Sequence, residues 1–148
     1  MTIRIDKAGR TGFLASIKNI EETPMKQGQV VELGNYAEKD VFEATAVKSL
    51  DSDKLVIHAS VENKTICEKE FLLDKDEVGR AYYPETGQVF TIPKTMFEGD
   101  PAVNDKVEPK VGSEKWAKAD APTAKVYAEV IEETSFAGQD CLVIHIYA

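Results

Sequence analysis

Histidine and cysteine are scarce in this chain, with two of each among 148 residues. That is too few for most of the chemistry that depends on them. A metal site of the usual kinds gathers three or four ligands, and His58, His145, Cys67 and Cys141 show no C-x-x-C or zinc-ligand spacing. No metal and no cofactor is expected. The G-x-S-x-G elbow, the P-loop, the H-E-x-x-H helix and the G-x-G-x-x-G turn are missing as well, so the corresponding reactions have no foothold. Paired acids such as Glu21/Glu22 and Glu132/Glu133 are common. In a chain with 26 acidic residues they read as solvated faces before they read as acid/base dyads. A nucleophile and base built from Cys67 with His58 or His145 is the one enzymatic alternative, and the apolar neighbours of all three favour structural roles. The expectation is that this is not an enzyme.

Long apolar runs are also lacking: none approaches the roughly 20 residues that a spanning helix needs. The opening "MTIRIDKAGRTGFLAS" lacks the apolar stretch of a secretory signal. A soluble protein that stays where it is made is expected, with Cys67 and Cys141 as buried thiols instead of a disulfide. Positive charge is the third shortage. Eighteen Lys and Arg face 26 Asp and Glu, for a net charge of −8, and no basic stretch is interleaved with aromatics. Such a field repels phosphate backbones, so the expected partner is protein, not nucleic acid or membrane.

What the chain does have is a period of two. In "KLVIHASV", Leu55, Ile57, Ala59 and Val61 alternate with Val56, His58 and Ser60, as in a half-buried strand. In "CLVIHIYA", Leu142, Ile144 and Ile146 share one face while Cys141, Val143, His145 and Tyr147 share the other, both apolar enough for a central strand. Further strands are expected at 30–33, 41–47, 66–73, 89–93 and 126–134, each bounded by Gly, Pro, Asn or Asp. The stretch 126–134 also fits a helical face. Its β-branched and aromatic residues favour a strand, which "SFAGQD" would turn into the last strand as a hairpin. The stretch 64–80 can hold a short helix, with "DKDEVGR" as a turn. "YYPETGQ" and "EGDPAVNDKVEPKVG" read as surface connections.

The fold class implied is all-β and mainly antiparallel, a small barrel or sandwich with room for one short helix. Residues 25–148 read as a single β-rich domain, and 1–24, with Gly9 and Gly12, as an N-terminal arm or a first strand.

The tetrapeptide L-V-I-H occurs at 55–58 and again at 142–145, and carries both histidines. Its flanks share little, so strand propensity explains the match better than an internal repeat or a paired site does. Trp116 is either a rim residue over the core or an interface anchor. With Tyr82 and Tyr83 it could instead form a stacking surface for a glycan.

Three segments, "MKQGQVVELG", "LVIHASV" and "FTIPKTMFEGDPAVNDKVEPKVGSEKW", followed by a closing hairpin, resemble the head decoration (cement) proteins of tailed bacteriophages. The resemblance spans residues 25–148, and "NDKVEP" departs from it where a glycine is often found. It implies a noncatalytic virion protein that assembles in the host cytoplasm and binds the outer surface of the capsid. The implied partners are the major capsid protein and neighbouring copies of itself on the lattice. The connection after Phe97, through Phe97, Asp100, Pro101, Val103, Asn104, Lys106, Pro109 and Trp116, and the N-terminal arm are expected to make the contact. Another virion or tail β-domain meets nearly the same demands.

Overall fold

The computed structural model describes residues 4–7, 14–38, 41–59, 72–136 and 138–148, with side chains from Leu14 onward except those of Glu38 and Phe136. The alternating segments form β1 (Arg4–Lys7), β2 (Leu14–Asn19), β3 (Met25–Lys26), β4 (Val30–Glu38), β5 (Val41–Ala46), β6 (Leu55–His58) and β7 (Leu72–Leu73). They continue as β8 (Val78–Tyr82), β9 (Val89–Pro93), β10 (Phe97–Glu98), β11 (Lys106–Pro109), β12 (Trp116–Lys118), β13 (Tyr127–Phe136) and β14 (Gln139–Tyr147). Barrel and sheet both occur. Strands β2-β5-β4-β6-β8 close a barrel, β1-β9-β14-β13-β11-β12-β10 form a seven-stranded sheet, and β3 pairs with β7. Pairing is antiparallel except at β2/β5 and β10/β12. The protein is all-β.

Two cores follow from this arrangement. Ala15, Ile17, Val31, Leu33, Ala44, Val56 and Ala81 fill the barrel, together with Met25 and Leu73 of the small ribbon. The second core lies between the layers: Val30, Leu55 and Ile57 point out of the barrel and meet Phe90, Ile92, Val130, Leu142, Ile144 and Ile146 of the sheet. Each fully buried Leu or Ile contributes about 1.5–3 kcal/mol. Strand β6 serves both cores, Leu55 and Ile57 on one side and Val56 on the other. It is therefore buried on both faces, not half-buried as its alternation suggests.

The expected strand at 126–134 is found as β13, which pairs with β14 and leaves the helical alternative aside. Other expectations are corrected. Within 64–80, residues 72–73 and 78–80 are strand around a turn at 75–76; residues 64–71, with Cys67, lie outside the described residues. The only helical element among the described residues is the 3-10 turn Lys94–Met96. The connection after Phe97 is not a free loop, since it contains β10 and β11 and buries Val107 completely. Of residues 1–24, Leu14–Asn19 form a barrel strand between β5 and β8, in keeping with the strand alternative for this segment.

The two L-V-I-H strands belong to matching two-part units. Lys26–Gln29 and Glu85–Gln88 form the same turn: a Gly at positive φ (86° at Gly28, 101° at Gly87) precedes a Gln whose Oε1 accepts the amide three residues earlier, at 3.0 Å from Lys26 and 2.9 Å from Glu85. The strand leaving the first turn pairs with β6, and the strand leaving the second pairs with β14. The registers differ by one residue. The first turn exchanges backbone bonds with His58, the second with Ile146.

Candidate partner-binding edge

The eight residues singled out around the connection fall into two groups. Phe97, Pro101, Pro109 and Trp116 are buried. Trp116 is 1% exposed, lies in the inter-layer core, and donates its indole N–H to the Gly28 carbonyl at 3.0 Å. It is neither a rim residue nor an anchor for a partner. Asp100, Val103, Asn104 and Lys106 are exposed, and these four can reach another molecule.

The exposed group stands on a rigid turn. Gly99, Asp100 and Asn104 take positive φ values of 84°, 45° and 77°, which lets the chain reverse tightly between β10 and β11. The Ala102 amide donates to Asp105 Oδ2 at 2.7 Å, and the Asp105 amide donates back to the Ala102 carbonyl at 2.9 Å. The Ala102 amide, followed by Lys118 at 3.4 Å, holds the Asp105 carboxyl below the ordinary carboxylate range. Two further bonds fasten the turn to β13: Asn104 N–H to Val130 O at 2.8 Å, and Val130 N–H to Asp105 O at 2.9 Å.

Those bonds bring a second segment into the site. Val130 and Glu132 pair with Ile144 and Val143, so Ile131 is the extra residue of a β-bulge. Ile131 and Val103 are 45% and 44% exposed, and each adjoins a residue of the Asn104–Val130 bond. Two exposed apolar side chains therefore stand on neighbouring stretches of hydrogen-bonded backbone. Beyond the bulge, β13 outruns its neighbour, because β11 pairs only with Ala128 and Glu129. Among the described residues nothing pairs with 131–136 on that side, which leaves an open edge.

A hollow of about 110 Å³ opens beside that edge, lined by Lys94, Phe97, Asp100, Pro101, Glu133 and Leu142 among others. Lys94 and Glu133 form an exposed ion pair at 3.4 Å across it. Sequence reasoning reached Phe97, Asp100 and Pro101, which form one wall. It missed Ile131 and Glu133, whose exposure depends on where β11 ends.

Other candidate sites come apart. Tyr82 packs edge-on against Phe90 at 6.1 Å and Tyr83 leans on the barrel core, while Trp116 is buried, so the three share no stacking surface. His58 and His145 leave their strands on the sides away from the shared inter-layer core. They cannot meet. Among the described residues no three His, Cys, Asp or Glu side chains are grouped to hold a metal ion. Beside a cleft of about 580 Å³ near Met25 and Val111, Glu114 pairs with Lys26 at 2.6 Å and Lys110 with Glu98 at 3.0 Å. No family model, no curated protein and no solved structure matches the chain.

Proposed function

We propose that this protein is a structural component of a tailed-phage virion that binds the outer surface of the assembled capsid and stabilises it without catalytic turnover. Its partners on this reading are the major capsid protein and neighbouring copies on the lattice. The motif resemblance over residues 25–148 supports the assignment. The observation that carries it is the exposed Val103/Ile131 pair on a hydrogen-bonded turn beside an open strand edge. A preorganised apolar contact loses little conformational entropy on docking. Many weak copies on a repeating lattice then gain effective affinity from one another.

The test mixes the protein with undecorated expanded heads and with unexpanded procapsids of the phage that encodes it, followed by imaging. Saturable binding to expanded heads with raised heat resistance is expected. Binding to neither form overturns the proposal, and density confined to the tail transfers the protein to another virion role.

A further inference from the structure

We infer that the open edge of β13 receives an extended, cationic segment of a partner polypeptide as an added strand, with one apolar side chain of that segment seated in the hollow beside Glu133. Naming the owner of the segment as the capsid lattice protein rests on the proposal above; strand addition itself does not.

The backbone sets which groups are available. In an antiparallel ladder, residues alternate between bonding the partner strand and pointing away from it. Val130 bonds the 104–105 turn and therefore points away from β14. Phe136 and Gln139 are the last pair of the β13/β14 hairpin, so they bond each other. Counting from either end gives the same result: Glu132, Thr134 and Phe136 bond β14, while Glu133 and Ser135 direct both N–H and C=O outward. Among the described residues no backbone group bonds Glu133 or Ser135 on that side. Both residues are exposed. The edge is a short template for main-chain pairing of the kind used in strand addition.

Charge selects the occupant. Asp100, Glu132 and Asp140 are exposed around the edge with no ion-pair partner among the described residues, and Glu133 pairs with the exposed Lys94. A second copy pairing through the same edge would set these acids against one another, since like charges directly opposite in a sheet are unfavourable. A strand bearing Lys or Arg gains where a second copy loses. The hollow supplies the other half of the specificity. Its lining is mainly polar, with Lys94, Asp100 and Glu133 around it, but Phe97, Pro101 and Leu142 form an apolar part, and its volume of about 110 Å³ suits one short aliphatic side chain resting there. An alternating cationic and apolar strand satisfies both features, because alternate side chains point to opposite faces.

The experiment measures residue-resolved amide exchange on the full chain with a short peptide alternating lysine and valine, and with a glutamate–valine peptide as control. At saturation the lysine peptide should slow exchange at Glu133 and Ser135 about tenfold, a local protection typical of a newly formed ladder. The control should leave both unchanged. Ser135→Pro removes one outward N–H without breaking the hairpin's own bonds, so it should keep the melting temperature and weaken the lysine peptide about three- to tenfold, as expected for one hydrogen bond. Binding should fade with added salt. Absence of binding, or binding without protection at Glu133 and Ser135, overturns strand addition, as does a Ser135→Pro chain that binds like wild type. Head binding without these peptide effects leaves the capsid proposal standing alone. Peptide effects without head binding retain strand addition and remove the capsid protein as its partner.

Discussion

Within β6, Leu55–His58 is buried on both faces, whereas in β14 the same four letters at 142–145 bury Leu142, Val143 and Ile144 and leave His145 partly exposed. Leucine and isoleucine behave alike in the two strands, entering one shared core from opposite sheets. The histidines part company. His58 is enclosed at the barrel end and donates Nδ1–H to the Lys26 carbonyl at 2.9 Å, while His145 packs on Tyr147 at 4.8 Å on the outer face of the seven-stranded sheet. An identical tetrapeptide thus acquires two environments from what covers its second face.

The largest test of this comparison is truncation in the shared core. Ile57→Ala and Ile144→Ala should each cost about 2–5 kcal/mol, and the two losses should be similar because both side chains leave the same core. Denaturant titration of both variants checks it; a loss confined to one strand would show that the core is not shared.

Next comes acid. Burial pushes the His58 imidazole from 6.5 down to about 4, partly offset by its bond to Lys26. Because the folded chain resists the proton that the unfolded chain accepts, this stabilisation is complete above about pH 6.5 and is lost as pH falls toward 4. The loss amounts to about 3 kcal/mol. His58→Gln should flatten that part of the stability–pH curve, whereas His145→Gln should leave it in place. Chemical denaturation from pH 7.5 to 4 separates the two.

Glycine substitutions sharpen the contrast between the paired turns. A Cβ on Gly28 would lie 2.9 Å from Ile92 Cγ2, while one on Gly87 would meet nothing within 4 Å, and both positions have positive φ. Gly87→Ala should cost about 1–2 kcal/mol from the left-handed conformation alone. Gly28→Ala should cost more, and the difference in melting temperature measures the clash. The smallest effect is expected on the outer face: Tyr147→Ala, which loses stacking on Tyr127 at 5.2 Å, should cost about 1 kcal/mol.

Much of the fold was legible from alternation. Strands at 30–33, 41–47, 89–93 and 126–134 stand where the pattern places them, and "SFAGQD" makes the last hairpin. The matched turns at Gly28 and Gly87 carried a readable signal too, the repeated G-Q-V, but their strand partners lie at unequal distances along the chain. Trp116 was ambiguous because a lone indole has the same letter in a core and at an interface. The candidate edge was half legible. Gly99, Asp100 and Asn104 mark a turn, but nothing near Ile131 or Glu133 announces that β11 stops short of them.

The sequence by itself determined that the chain is all-β and which side chains share a face, because strand geometry sends successive residues to opposite sides wherever the strand lies. It also determined that Leu and Ile of both L-V-I-H segments seek a core. Only the tertiary structure decided which second faces are covered, that Trp116 is interior, and that β13 keeps an open edge. Those outcomes depend on which layer packs against a strand and how far its neighbour extends, and both are properties of segments distant in the chain.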